Sequence, residues 1–369
     1  MGRRHPGQDG GRRLMIAAGG TGGHLYPGLA LAQEFRRACA AEVSFITTPK
    51  PVTLDILRHY DFPWHVLQVA ALQGTGWGRR LLTLLRLPWS IHQAGRLLRQ
   101  TRPQLVVGMG GYISGPVGVA AKRLGIPLVI HEQNAVMGAA NRYLGRLADA
   151  IFLSLPESEG NPAPDRSIWS GNPIREEFAR PVSTPRPATP FTVVIMGGSQ
   201  GAHHLNMQML AALPLLQHRR EELSCIHLSG PADQQEVEEG YRRAGIRAQV
   251  MAFSPEVRTF MHQAHVVLCR AGASTLAELT ALGRVGILVP YPFAANQHQE
   301  KNALYLAQAG AAFLVRNQEL TGETIAAMIE QLMAHPEQLQ QMEEKSQALG
   351  RPQAAAIIVE ECKKFLSEE

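Results

Sequence analysis

The chain lacks a pair of cysteines near enough to clamp a metal or seed a disulfide frame. Its four, Cys39, Cys225, Cys269 and Cys362, are scattered through 369 residues with no C-x-x-C spacing. That usage fits reduced thiols in a cytoplasmic protein. No apolar run approaches the roughly 20 residues that cross a bilayer. The N-terminal Arg3, Arg4, Arg12 and Arg13 are not followed by the apolar core of a secretory signal. A Gly-Lys pair is missing, which excludes a Walker-type phosphate loop, and no clean G-x-G-x-x-G follows a strand, which speaks against a nicotinamide dinucleotide site. Neither H-E-x-x-H nor D-x-D occurs, so no metal and no cofactor is expected. Acidic residues are absent from Phe62 through His131. An even spread of the 31 acids over 369 residues would put roughly six there. The same stretch holds Arg79, Arg80, Arg86, Arg96, Arg99, Arg102, Lys122 and Arg123, so an anionic partner is expected to face it.

What the chain does have is glycine turns after short apolar strands. Leu14–Ala18 reads as a buried strand. Gly19, Gly20, Thr21, Gly22, Gly23 and His24 follow, and Pro27 stands where a first helical turn begins. Strand, glycine turn and helix start aim backbone N–H groups and the positive end of a helix at an anion. Further strands fit Glu42–Thr48, Gln104–Val107, Ile126–His131 and Ala150–Leu153. Short apolar runs alternating with helical patterns imply a parallel sheet covered on both faces. Eight prolines between Pro156 and Pro190 read as an extended linker.

The second half repeats the plan. Phe191–Met196 is a strand, and Gly197, Gly198, Ser199, Gln200 and Gly201 form its glycine turn. Strands also fit Leu223–Leu228, Gln249–Phe253, Val266–Cys269 and Val285–Val289, with helices at Ala273–Ala281, Asn302–Ala309 and Thr324–Ala334. The length accommodates two domains. The expected architecture is α/β, two doubly wound Rossmann-like domains facing across a cleft, with ligands at the carboxyl ends of the strands. Gly197–Gly201 also matches G-x-S-x-G, the nucleophile elbow of a serine hydrolase; that reading leaves the first glycine turn, the duplication and the basic stretch without a purpose. Thr275 and Glu278 have the spacing of a capping box. The same helix start, with Ser274 and Thr275, is equally suited to a sugar nucleotide, with Glu278 accepting from ribose hydroxyls. Asn296, Gln297, His298 and Gln299 form another polar cluster suited to sugar hydroxyls.

The tracts GGTGGHLYPGLALA, GMGGYISGP, HEQNAVMGAANR, GNPIR, GGSQGA and AGASTLAE with QHQEKNALYLAQAGAA occur in this order between about residue 14 and residue 312. Together they resemble the MurG family of peptidoglycan glycosyltransferases, within glycosyltransferase family 28. The resemblance implies a GT-B fold. It also implies inverting transfer of N-acetylglucosamine from UDP-N-acetylglucosamine to the C4 hydroxyl of undecaprenyl-diphospho-N-acetylmuramoyl-pentapeptide (lipid I), at the cytoplasmic face of the inner membrane. It carries donor-site roles onto Thr21, Gly22, Gly23, Asn134, Arg175, Ser199, Ser254 and Gln299, with His298 beside the last and Glu278 holding the ribose. Residues 1–174, with a C-terminal helix at 352–369 packed back on them, would face acceptor and membrane, and 175–351 would bind the donor. The glycines Gly19, Gly20, Gly197, Gly198 and Gly201 would serve two diphosphates. His24 is the candidate base, imidazole having an ordinary pKa of about 6.5.

Trp77, Leu81, Leu82, Leu85 and Trp89 interleave with Arg79, Arg80 and Arg86, a mixture suited to an anionic membrane surface. No nucleic-acid partner is expected. A different enzyme on the same fold, a non-hydrolysing UDP-N-acetylglucosamine 2-epimerase, is the alternative; it has no use for the basic apolar stretch.

Overall fold

A computed structural model describes residues 11–19, 22–69, 77–180, 185–198 and 200–366, with backbone alone at 52 and 77–86. The chain divides into two compact units, Met1–Arg175 with Gln353–Glu369, and Glu176–Pro352.

The first unit runs β1 (Arg13–Ala17), α1 (Gly22–Cys39), β2 (Glu42–Thr47), α2 (Pro51–His59), β3 (Trp64–Val66), α3 (Trp77–Thr101), β4 (Leu105–Gly108), α4 (Gly111–Arg123), β5 (Leu128–Glu132), α5 (Ala139–Leu144), β6 (Ala150–Leu153) and β7 (Ser167–Trp169). Its seven strands lie in the order β3-β2-β1-β4-β5-β6-β7, each pair parallel. Alternate residues of a strand point to opposite faces, and β1 obeys this: Leu14 and Ile16 join one core cluster, Met15 and Ala17 another. All four are buried, which is why the strand reads as an unbroken apolar run. The proline-rich stretch is only in part a linker. It carries β7, which pairs with β6 and completes the first sheet before the boundary at Arg175. Three residues on an edge strand give no periodicity to read.

The second unit runs α6 (Glu176–Ala179), β8 (Phe191–Met196), α7 (His203–Leu216), β9 (Leu223–Leu228), α8 (Gln234–Ala244), β10 (Arg247–Met251), α9 (Val257–Gln263), β11 (Val266–Cys269), α10 (Ala273–Ala281), β12 (Val285–Leu288), α11 (His298–Gln308), β13 (Ala312–Leu314), α12 (Gly322–Ala334) and α13 (Pro336–Leu349). Its sheet order is β10-β9-β8-β11-β12-β13, again parallel. The last helix, α14 (Ala354–Cys362), belongs to the first unit, where Ile358, Val359 and Cys362 share a buried cluster with Leu25, Phe35 and Cys39 of α1.

Strand order reverses between β1 and β4 in one sheet and between β8 and β11 in the other. Ligands of open α/β sheets bind at such switch points, outside the carboxyl ends of the strands. The two glycine turns follow β1 and β8, so each unit presents one at its switch point.

Candidate active site

In the second unit the turn after β8 is shaped by backbone packing. Gly201 has φ +77°, and a Cβ there would lie 2.0 Å from the Ser229 carbonyl oxygen; a Cβ at Gly230 would lie 2.4 Å from that of Gln200. Only glycine lets the two loops touch. Gly198, at φ +93°, has open space instead; glycine is there for conformation. Beyond the turn, α7 opens behind Ala202 and α10 opens behind Gly272, and neither cap residue makes a side-chain bond to the first turn. Among the described residues, no cap side chain takes up the N–H groups at either helix start.

A pocket of about 500 Å³ lies against both helix starts, and its lining includes Gly198, Gly201, His203, Arg270, Thr275 and Gln299. Arg270 donates to Val289 O, Pro290 O and Asn317 Oδ1 at 3.2, 3.2 and 2.8 Å, which aims its guanidinium with little freedom. Burial lowers its pKa below the ordinary value, yet an arginine stays charged. Gln299 Oε1 accepts from the Tyr291 N–H at 2.9 Å, and His298 Nδ1 donates to Ala295 O at 2.7 Å. Asn296 and Gln297 both take φ +52° just before α11, a left-handed pair rare outside glycine. Two positive helix ends and a fixed guanidinium around one cavity make a seat for a phosphorylated ligand.

Thr275 does not cap α10; the helix starts three residues earlier, behind Gly272, so the capping-box reading fails. Likewise α11 begins at His298, four residues before the expected start, which puts His298 and Gln299 in its first turn. Of the expected donor residues, the pocket lining gathers Gly197, Gly198, Gly201, Thr275 and Gln299. Ser274 and Glu278 stand on α10 without lining it; the Ser274 hydroxyl is buried with no hydrogen-bond partner among the described residues, and Glu278 is buried. Ser254 is buried in the loop after β10, its Oγ accepting from the Glu256 N–H at 3.1 Å. Ser199 lies outside the described residues. His203 and Tyr291 are pocket residues that sequence reading missed; only the position of His203 directly behind GGSQGA pointed to it.

In the first unit, α1 starts at Gly22, so Gly22, Gly23 and His24 form its first turn. The His24 ring packs on the turn after β4, where Gly110 and Gly111 have φ +91° and +71°. A Cβ at Gly110 would lie 2.9 Å from His24 Cδ2, and one at Gly111 would lie 3.1 Å from Gly19 O. Gly20 and Thr21 lie outside the described residues. Behind this turn, at the end of β5, is a buried polar cluster. Glu132 accepts at Oε1 from the Asn134 backbone and side chain (3.1 and 3.2 Å) and at Oε2 from the Gly138 N–H and Asn141 Nδ2 (3.0 and 2.9 Å). His131 donates from Nε2 to Gly171 O at 3.1 Å, and its Nδ1 accepts from Gln133 Nε2 at 2.9 Å. Burial pushes its pKa down to about 4, His24 contributing in the same direction, so the ring is neutral. The Arg175 guanidinium sits 6.0 Å from the Tyr26 ring. Asn134, Arg175, Gly22 and Gly23 thus belong to the first unit and the lined pocket to the second.

On α3, the side chains of Trp77, Arg79, Arg80, Leu81, Leu82, Leu85 and Arg86 lie outside the described residues. Trp89 is exposed and stacks on His92 at 6.1 Å. Among the described residues no helix is long and apolar enough to cross a membrane.

Residues 14–153 match the glycosyltransferase family 28 N-terminal domain and residues 192–358 its C-terminal domain. The chain belongs to glycosyltransferase family 28. Among the family 28 relatives, a UDP-N-acetylglucosamine–N-acetylmuramyl-(pentapeptide) pyrophosphoryl-undecaprenol N-acetylglucosamine transferase of Anaeromyxobacter sp. strain Fw109-5 is 44% identical over 363 residues, covering 95% of this chain and 92% of the relative. The crystal structure of Acinetobacter baumannii MurG superposes with a TM-score of 0.78 at 29% identity, over 96% of this chain and 99% of that one. The two parallel-sheet units are therefore those of the GT-B fold. A UDP-N-acetylglucosamine 2-epimerase from Neisseria meningitidis shares the fold alone, with a TM-score of 0.66 at 14% identity over 95% of this chain and all of that one.

Proposed function

We propose that this family 28 chain transfers N-acetylglucosamine from UDP-N-acetylglucosamine to the C4 hydroxyl of lipid I, inverting the anomeric centre and releasing UDP. The observation that carries this reading is the second-unit pocket, where two uncapped helix starts, the β8 glycine turn and Arg270 converge on one cavity. UDP departs with one more negative charge than it carried in the sugar nucleotide, and preorganised donors of this kind stabilise charge that grows in the transition state. Family 28 relatives that name this reaction at 44% identity support the choice of sugar and acceptor.

The donor occupies the second unit, with Thr275 and Gln299 at the pocket and Glu278, one turn deeper on α10, accepting from ribose hydroxyls. Ser199, Ser254, Ser274 and His298 complete the donor set of that unit. The first unit takes the acceptor: the Gly22–Gly23 amides and the turn at Gly19 and Gly20 meet its diphosphate with Thr21. His24 removes the proton of the attacking hydroxyl. The basic, tryptophan-bearing start of α3 rests on the anionic cytoplasmic leaflet. In an incubation with UDP-N-acetylglucosamine, UDP release should require a lipid I analogue; release at the same rate without the acceptor would overturn the assignment.

A further inference from the structure

His203 is the first residue of α7 and lines the second-unit pocket. Its side chain is 70% exposed, while Nδ1 lies 2.9 Å from Oδ1 of Asp233, whose side chain is 12% exposed. The direction of each hydrogen bond behind this contact is fixed. Asn206, fully buried, donates from Nδ2 to Ser229 O at 2.8 Å and to Asp233 Oδ2 at 2.7 Å. Its Oδ1 must then accept from His227 Nε2 at 3.0 Å, which leaves His227 Nδ1 to accept from the Tyr241 hydroxyl at 3.2 Å. Burial keeps His227 neutral, its pKa pushed down to about 3. Asp233 therefore receives bonds at both oxygens. Burial alone would raise its pKa, but the bonds from His203 and Asn206 hold it below the ordinary carboxylate value. An ionised Asp233 takes the Nδ1–H of His203, and Nε2 is the ring atom left for the pocket.

In the neutral ring that Nε2 carries a lone pair, which repels a phosphate oxygen; in the imidazolium it is a donor. We propose that His203 binds the diphosphate of the nucleotide sugar as an imidazolium, with Asp233 as the residue that orients it, so that nucleotide binding takes up a proton. This rests on the pocket being the UDP-sugar site. The surrounding groups set the coupling. On α7 itself, the positive helix end opposes the imidazolium, and the neighbouring His204 is turned away to Asn317 O at 2.9 Å. From the end of β11, Arg270 shares the pocket and also opposes it; from the loop after β12, Tyr291 adds a phenol. From β9 comes neutral His227, and α12 meets α7 farther along, Gly322 against Ala211 and Glu330 against His218. A bound diphosphate adds the second anion that tips the ring to its charged form.

The probe is UDP-N-acetylglucosamine, whose phosphates are both esterified and take up no proton near neutrality, unlike the terminal phosphate of UDP with its pKa near 6. Calorimetry in buffers of different ionisation enthalpy, from pH 6 to 8.5, gives both Kd and protons exchanged. Wild type should take up a proton on binding, its Kd weakening toward roughly tenfold per pH unit at the alkaline end. His203→Gln should bind with a flat profile and no uptake. His203→Arg, permanently charged, should also be flat and hold its affinity at pH 8.5. Asp233→Asn should move the wild-type profile to lower pH. Binding by wild type without proton uptake, or uptake retained in His203→Gln, overturns the proposal and leaves the donor site standing. No binding by wild type at any pH overturns the donor site and the proposal with it.

Discussion

At the scale of single residues, the base role proposed for His24 falls on a ring seated against glycines at positive φ. His24→Ala should lower kcat by about 10²- to 10⁴-fold, the usual worth of a positioned base, with the KM for UDP-N-acetylglucosamine little changed; equal losses in both would remove the base role. His131 and His227 make a different prediction. Their folded pKa values, about 4 and about 3, lie below the ordinary 6.5 because both rings are buried. As pH falls below 6.5 the unfolded chain binds protons that the folded one refuses, so stability falls with pH. The loss is on the order of 1.4 kcal/mol per pH unit per fully discriminating histidine. Thermal melting should thus drop steadily from pH 6.5 to 4, less steeply in His131→Gln; a Tm constant over that window would contradict neutral burial. Pocket residues were legible where one tract held them, as in GGSQGA, whose glycines line the second-unit cavity. The contact of His203 with Asp233, thirty positions away in sequence, depends on where β9 delivers its loop, and no local pattern encodes that.

At the scale of elements, long buried strands were readable and short edges were not. β8, β9 and β11 have the bounds their apolar runs predict. β3, β7 and β13 are three residues each, too short for periodicity to separate from a loop. α8 buries only Val237 and Tyr241, two apolar positions in an otherwise polar run. α10 has the bounds its pattern predicts, but α1 and α11 begin at residues assigned to loops, because glycine and polar residues at a helix start look like turn residues. The β8–α7 turn is the element most tightly specified by backbone contact. Gly201→Ala would set its methyl against the Ser229 carbonyl at a positive φ, costing about 2 kcal/mol or more of stability. It should weaken UDP-N-acetylglucosamine binding at least tenfold; unchanged affinity in calorimetry would show that the turn does not shape the pocket.

At the scale of the molecule, the duplication was visible as two strand–glycine-turn openings, and the sheet orders β3-β2-β1-β4-β5-β6-β7 and β10-β9-β8-β11-β12-β13 give both openings a switch point. The absence of acid from Phe62 to His131 is a whole-chain feature as well, since it spans β3 to β5. The protein should float with anionic liposomes at low salt, each arginine near such lipids contributing on the order of 1 kcal/mol. Replacing Arg79, Arg80 and Arg86 together with Glu should abolish that; undiminished flotation would place the contact elsewhere. The most direct measurement of the central claim follows radiolabelled N-acetylglucosamine in an incubation with a lipid I analogue. Label should pass into the lipid fraction, linked at the muramoyl C4 hydroxyl, one for each UDP released. Label that stays on the nucleotide as an epimerised sugar, or appears as free sugar, would contradict the assignment.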